Sequence, residues 1–346
     1  MGRVTTHDIA RLAGVSQSTV SFILNKSNKA SISDMTRQKV LAAAEQLGYV
    51  HKDSPKKPVK AIKDLIAVVV PNMLYSYYPS LVESIEKQAV MRGYSTLLCN
   101  IDTPESESYY TELLSDYSVK GIIFTFTPNT YTIVNALEGK APAVLLGEKD
   151  ENIHLDTIAL NSMSAGHILV EHLYGLGHRH IAFISNPSET VSRATRRRLE
   201  GVRSKMDQMG IGKQLVHIYN EAFRNLDSMD EIIKSSYELT QRVTDESPEV
   251  TAIIATDDIT CIGILDALRE QNRKVPHDMA LCSFDDTDIS RILSPNITTI
   301  DHGNNIRVKL AFDLLIERIN NPNKTGRLYK TESVPNLIVR ASTVKR

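Results

Sequence analysis

The spacing of apolar positions changes along the chain. Over the first fifty residues they recur at helical intervals. Ile9, Leu12 and Ala13 share one face of a short segment, Val20, Ile23 and Leu24 recur at i, i+3 and i+4, and Val40, Ala44 and Leu47 mark a third segment. Gly14 stands where the chain must leave the first helix through a left-handed turn, and Ser16 is placed to cap the second helix. The third helix is expected to start near Ser33 and to stop at Gly48. Two helices joined by a four-residue turn, with a third closing the core, form the arrangement that lets a second helix enter a major groove. The same spacing suits a small three-helix bundle that binds another protein. The outer face of the second helix, Gln17, Ser18, Ser21, Phe22 and Asn25, is mostly short and hydrogen-bond capable.

From Leu65 onward the pattern becomes short apolar runs between helical segments. Strands are predicted at 65–70, 96–100, 121–125, 143–146, 157–160, 181–185, 216–219, 252–255 and 280–284. Continuous β-branched runs between helices indicate parallel sheets covered on both faces, and there are too many for one compact sheet. The expected fold is therefore an all-α helix-turn-helix headpiece followed by a two-lobed α/β body with two doubly wound parallel sheets. The expected boundaries are a headpiece at 1–50, a linker at 51–64 and a body at 65–346, with one lobe near 65–161 and 300–329 and the other near 162–299 and 330–346.

Charge separates the same segments. Residues 1–64 carry 11 Lys/Arg against 5 Asp/Glu and the remaining chain 29 against 36, so +6 and −7 stand within a total of −1. A basic module on an acidic body suggests a nucleic-acid partner. The opening residues lack an apolar signal core and no apolar run is long enough to cross a bilayer, so a cytoplasmic location without membrane contact is expected. Cys99, Cys261 and Cys282 lack zinc or disulfide spacing and are read as buried free thiols; neither metal nor cofactor is expected.

In doubly wound sheets ligands sit beyond the carboxyl ends of the strands. Those ends deliver Asn72, Tyr75, Tyr77 and Tyr78 after the first strand, then Phe126, Gly147, Asn161, Asn186, Ser188, Asp257-Asp258 and Asp285-Asp286. Aromatic faces beside amides and carboxylates suit a polyhydroxylated ligand. Asp258 alternatively caps the helix that follows it, and Tyr77 or Tyr78 alternatively belongs to the core. Arg193, Arg196, Arg197 and Arg198 crowd a helix start, where an anionic effector is a further option. P-loop, nucleophile-elbow and His-Glu-x-x-His motifs are absent, so no enzyme is expected.

The run Asp8-Ile9-Ala10-Arg11-Leu12-Ala13-Gly14-Val15-Ser16, with Ser18-Thr19-Val20-Ser21, Leu24-Asn25, Thr36-Arg37, Val40-Leu41-Ala42-Ala43-Ala44 and Leu47-Gly48-Tyr49, resembles the headpiece of lactose/galactose-repressor (LacI/GalR) regulators. Gly175-Leu176-Gly177-His178-Arg179-His180-Ile181-Ala182, Arg198-Leu199-Glu200-Gly201, Phe284-Asp285-Asp286, Thr298-Thr299 and Arg340-Ala341-Ser342-Thr343 extend the resemblance over the body.

The resemblance implies a transcription regulator, presumed a repressor, with a periplasmic-binding-protein-like body. Its implied partners are a near-palindromic operator in double-stranded DNA, a second copy of the chain, and a small effector, expected to be a carbohydrate. A protein corepressor is the alternative controller, and a solute-binding protein the rival class, disfavoured by the basic headpiece. Effector closure of the lobes is expected to alter how a dimer spaces its headpieces.

By the same resemblance Gln17, Ser18 and Phe22 reach base edges, and Thr5, Ser16, Thr19, Asn25 and Ser33 reach phosphates. Arg198, Asp257 and Asp285 align with effector contacts, and Tyr77, Tyr78 and Asn161 with the cleft wall.

Several positions depart from the family pattern. Phe22 stands where Arg is usual, and offers apolar contact to a thymine methyl or packs back on the headpiece core. Asp257 stands where Asn is common, and Gly147-Glu148 where Asp-Arg is frequent. Pro58 stands at the minor-groove Leu position, with Pro55 three residues earlier, and a proline inside a short helix costs ~3 kcal/mol. Lys52, Lys56, Lys57, Lys60 and Lys63 either follow phosphates or belong to a solvated tether.

Overall fold

The computed structural model describes residues 4–24, 32–47, 49, 64–116, 118–128, 132–185, 193–219, 228–322 and 327–344. Asn25, Gly48, the linker prolines and lysines from Lys52 to Lys63, Asn186 and Ser188 lie outside the described residues. The chain divides into two compact units, 1–62 and 63–346.

The first unit holds α1 (Thr6–Ala13), α2 (Gln17–Leu24) and α3 (Asp34–Gln46). Thr5 caps α1 through a capping box with Asp8, whose carboxyl is held below its ordinary value chiefly by the Thr5 hydroxyl. Gly14 ends the helix at φ 67°, a left-handed conformation that costs a glycine little. Ser16 Oγ accepts from the Thr19 amide at 3.1 Å, and Ser33 caps α3 through the Thr36 amide at 3.3 Å. Ile9, Ala10, Val20, Ile23, Val40, Ala43 and Ala44 form the core, with Ala13, Leu24 and Leu47 packed against it. Leu12 is 47 % exposed, contrary to the periodicity reading. The buried face of α1 is centred on the Ile9–Ala10 side, and Ala10 takes the place expected for Leu12.

The first sheet of the body is entirely parallel. Its elements in chain order are β1 (Leu65–Val70), α4 (Tyr77–Met91), β2 (Ser95–Asn100), α5 (Pro104–Asp116), β3 (Gly121–Phe124), α6 (Thr132–Leu137), β4 (Ala143–Leu145) and β5 (Asp156–Ala159). The second lobe follows with α7 (Ser162–Gly175), β6 (Ile181–Ile184), α8 (Arg193–Gln208), β7 (Leu215–Ile218), α9 (Met229–Glu246), β8 (Ala252–Ala255), α10 (Thr260–Glu270), β9 (Ala280–Cys282) and α11 (Asp288–Ile292). The chain closes with β10 (Thr299–Asp301), α12 (Asn304–Asn320), β11 (Lys330–Glu332) and β12 (Asn336–Ile338).

The sheet orders are β2-β1-β3-β4-β5-β11 and β7-β6-β8-β9, the two parallel sheets expected, with a separate antiparallel ribbon of β10 and β12. Their inner strands are buried along their length, as coverage on both faces requires. The three late strands escaped the sequence reading because each has three residues and little apolar periodicity. Lys330–Glu332 pairs with β5, so these residues belong to the first sheet and not to the second lobe as expected. The chain crosses between lobes three times, after β5, after β10 and after β11. All three cysteines are free and buried.

Candidate effector site and DNA-reading face

At the carboxyl ends of the second sheet, Arg198 rises from α8 beneath the loops after β8 and β9. Its Nη1 donates to the Thr256 carbonyl at 2.5 Å, its Nη2 to Asp285 Oδ1 at 2.5 Å, and its guanidinium lies 4.7 Å from the centre of the Phe284 ring. Burial works against the Asp285 carboxylate, but Arg198 and His302 hold its pKa below the ordinary value. His302 Nε2 lies 3.2 Å from the same Asp285 oxygen; burial keeps this imidazole's pKa low, and a proton on Nε2 points it at the carboxylate as a donor. Asp285 occupies φ 99°, a strained conformation for a side-chain-bearing residue and a mark of a functional loop.

Asp257 and Asp258 divide their work differently from the sequence expectation. Asp257 caps α10: its Oδ1 accepts the Thr260 amide and hydroxyl, each at 2.9 Å. Asp258 accepts from Thr287 (amide 2.7 Å, hydroxyl 2.8 Å), Thr299 (3.1 Å) and Ser283, tying three loops together. Burial pushes the Asp257 carboxyl up to about 6 and that of Asp258 up to about 7.

The first lobe brings Tyr75, Tyr77 and Tyr78. Tyr77 is buried in the lobe's apolar core, the second of the two readings left open for it, and meets Tyr78 edge to face at 5.2 Å. Its hydroxyl accepts from Arg307 at 3.1 Å. Burial raises the Tyr75 and Tyr78 hydroxyls well above their usual value, and the charges of Asp257 near Tyr75 and of Asp285 near Tyr78 raise them further. Groups from both lobes therefore converge on Arg198, Asp257 and Asp285.

Asn161 caps α7 by accepting from the Ser164 amide, and donates to Glu332 at 3.0 Å. Phe126 packs, partly buried, against the apolar cluster on the other side of the first sheet.

Glu148, Asp150, His302 and Arg307 are the residues sequence reasoning missed as members of this region. Glu148 and Asp150 follow a run of only three strand residues. Arg307 lies on a helix, away from any strand end, and is 1 % exposed. It donates to Tyr77, Asn304 and the Ile158 carbonyl. Contacts that span the lobes beside this region include Arg193 to buried Asp150 at 2.7 Å, Ser76 to Thr287 at 3.3 Å, and the Ser162 hydroxyl to Glu148. Of the four clustered arginines, Arg193, Arg197 and Arg198 are each paired with a carboxylate of the protein itself.

A separate surface cavity of about 430 Å³ lies by the amino ends of β4 and β5, among Leu137, Lys140, His154 and Arg318. Its arginine is committed to Asp156 at 2.7 and 3.0 Å. Among the described residues no group of His, Cys, Asp and Glu is arranged to hold a metal ion, and no helix is long and apolar enough to cross a membrane.

On the headpiece, Ser16, Gln17, Ser18, Ser21 and Phe22 share the exposed surface of α2, with Thr19 half-buried among them. Phe22 is 38 % exposed and lies outside the apolar cluster, so it is not folded back onto the core. The hydroxyls of Ser16, Ser18 and Thr19 form one cluster at 2.7 and 2.8 Å, and Gln17 Nε2 donates to Thr6 at 3.0 Å. Thr5 and Ser33 are exposed at their helix starts.

A helix-turn-helix unit followed in the chain by a two-lobed parallel α/β body is the domain order of a DNA-binding transcription regulator. Residues 5–51 match the family model for bacterial regulatory proteins of the lacI family, and residues 170–343 match that for the periplasmic binding protein-like domain. The chain belongs to the lacI family of bacterial transcription regulators.

Among its relatives are the transcriptional repressor PurR of Haemophilus influenzae, 28 % identical over 98 % of both chains, and the transcriptional regulator DegA of Bacillus subtilis, 29 % identical over 86 % of both. The fold is shared with a complex of the regulator CelR with cellobiose (TM-score 0.68, 23 % identity, 98 % of this chain and 100 % of that one). It is also shared with a LacI-family regulator of Enterococcus faecium with bound ribose (TM-score 0.70, 24 % identity, 82 % and 100 %).

Proposed function

We propose that this chain is a homodimeric transcriptional repressor whose headpieces read a near-palindromic operator and whose body takes up a sugar or sugar derivative between its lobes. The observation that carries this reading is the convergence of Tyr75 and Tyr78 from one lobe with Arg198, Asp257 and Asp285 from the other. Aromatic faces beside a buried hydrogen-bonding cluster suit a polyhydroxylated ligand, which stacks its apolar ring face and bonds its hydroxyls.

On the headpiece, Gln17, Ser18 and Phe22 are proposed to face base edges, while Thr5, Ser16, Thr19 and Ser33 engage phosphates. Asn25 at the end of the reading helix, and Lys56 and Lys57 in the linker, are proposed as further backbone contacts. The sugar-bound relatives lend support, being regulators of the same fold that carry cellobiose or ribose. Ligand uptake acts on DNA by favouring one arrangement of the lobes over another, and so changing how a dimer presents its headpieces.

The test is paired. Selection of genomic duplexes bound by the purified protein identifies the operator, and calorimetry against neutral and phosphorylated sugars, with a phosphocarrier protein alongside, identifies the controller. Heat from a sugar together with an altered operator affinity is expected. Heat from the protein alone would replace the small effector by a protein corepressor.

A further inference from the structure

Three guanidinium groups around the site have an Nε–H that is buried and finds no acceptor among the described residues: those of Arg193 and Arg198 on α8 and of Arg307 on α12. Arg193 and Arg198 are nonetheless paired through their terminal nitrogens, with Asp150 and Asp285. Arg307 differs. It is 1 % exposed and forms no ion pair among the described residues. Its terminal nitrogens donate only to neutral oxygens, those of Tyr77 at 3.1 Å, Asn304 at 2.9 Å and the Ile158 carbonyl at 3.2 Å. Neutral acceptors satisfy its hydrogens but not its charge, and a buried cation without an anion is costly.

Arg307 belongs to the first lobe and Arg198 to the second, and two side chains connect them. The Tyr77 hydroxyl accepts from Arg307, its ring meets the His302 ring edge to face at 6.3 Å, and His302 Nε2 lies 3.3 Å from Arg198 Nη2. Glu148 and His302 both lie within the electrostatic reach of both guanidinium groups. Glu148 accepts from Ser162 but forms no ion pair among the described residues, and burial raises its pKa, so its negative charge is itself held at a cost. Asp257 and Asp258 are engaged by neutral donors of the second lobe. The site is thus polarised, with a carboxylate cluster on the second lobe and an unmatched guanidinium on the first. A ligand that carries an anionic group supplies the missing charge. At low dielectric this attraction acts over several ångströms, so the group need not touch both cations.

We infer that Arg307 is a specificity-determining residue of the effector site, a first-lobe cation that selects a sugar derivative bearing one carboxylate or phosphate group over its neutral parent. This rests on the sugar-binding reading above and names the kind of derivative. It also moves the anionic option from the start of α8, where Arg193, Arg197 and Arg198 have carboxylates of their own, to α12.

The experiment uses the full-length protein, calorimetry and thermal melting. Ribose and cellobiose are the neutral probes, ribonate and cellobionate their carboxylated counterparts, and ribose 5-phosphate the phosphorylated one. An anionic probe is expected to bind at least about tenfold more tightly than its neutral parent, and the two kinds of anion show which group the site takes. Arg307→Met should abolish most of that preference, Arg307→Lys, which keeps a positive charge, should retain part of it, and Glu148→Gln, which removes a competing negative charge, should widen it. Neutral sugars that bind as tightly as their anionic counterparts would overturn the inference while leaving the sugar reading standing. So would an anionic preference unmoved in Arg307→Met or, should that variant fail to fold, in both Arg307→Lys and Glu148→Gln. Failure of every probe to bind or shift the melting temperature would overturn the sugar reading and the inference with it.

Discussion

Gly201 on α8 and Met163 on α7 approach so closely that a Cβ on Gly201 would meet the Met163 carbonyl oxygen at 2.2 Å. The contact is reciprocated three residues further along α7, where a Cβ on Gly166 would meet the Arg198 carbonyl oxygen at 2.5 Å. These two glycines let the helices lie backbone to backbone, and Arg198 is placed beneath the site by that packing. Gly201→Ala must therefore push the helices apart. Overpacking of this kind costs about 1–3 kcal/mol, and ~1 kcal/mol lowers the melting temperature by about 2–4 °C in a domain of this size. A matching loss of effector affinity is expected, because the displaced helix carries the guanidinium that holds Asp285.

The ion pair between Arg193 and Asp150 joins the lobes across the site, with the Asp150 side chain buried. Arg193→Ala removes the cation and leaves that carboxylate short of one partner, at a cost of about 1–3 kcal/mol. The expected outcome is weaker effector binding with a faster off-rate, and small-angle scattering that reports a more open body in the free protein. Unchanged scattering and affinity would assign the pair to surface chemistry alone.

Phe22 bears on operator choice. Its ring is exposed on α2 beside Gln17 and Ser18, so a change there acts on recognition and not on the core. Phe22→Arg should shift the selected duplexes toward guanine at one position of each half-site, since a bidentate arginine–guanine contact is worth about 1–3 kcal/mol. Ser16→Ala acts differently. It removes the cap of α2, costs about 1 kcal/mol of stability, and weakens binding to all duplexes alike.

The pH dependence follows from Asp257, whose carboxyl burial pushes up to about 6. If its free oxygen accepts from the ligand, protonation removes the acceptor, and affinity should fall about tenfold between pH 7.5 and pH 5. Asp257→Asn should flatten this dependence. In the free protein the sign is reversed. The folded-state value lies above the ordinary 3.8, so the native state holds this proton more tightly than the unfolded chain. The penalty for burying the charge is absent below about pH 4 and complete above about pH 6, so this group alone lowers stability as pH rises. Asp285 works in the opposite direction, its pKa being lowered, and its contribution is lost as acid protonates it.

The elements of this fold were largely legible because their patterns are local. Nine strand runs and three headpiece helices follow from apolar spacing, and the helix starts at Ser16 and Ser33 from capping chemistry, while the capping box at Thr5 was not foreseen. What stayed hidden depends on distant partners. β10, β11 and β12 are too short to show a period, and β11 is a strand only because β5 offers it an edge. Leu12 was misplaced because a periodic pattern does not say on which side of Ile9 the neighbouring helices lie. Of the site, Arg198, Asp257 and Asp285 could be found as strand-end and motif residues. Arg307 could not: a guanidinium on a helix gives no local sign that it will be buried against a tyrosine 230 positions away. Glu148 was visible only as a departure from the family pattern, and its burial against Ser162 belongs to tertiary packing.

The central claim is that this chain reads a DNA sequence under the control of a small ligand. The most direct measurement is a binding titration of the full-length protein on its selected duplex and on random duplex across a salt series, repeated with a bound sugar. The account predicts a preference of about 10³-fold or more for the selected duplex, affinity that falls linearly in log salt, and a change in that preference when the sugar is present. Equal binding to both duplexes, or a preference indifferent to every ligand that binds the body, would contradict it.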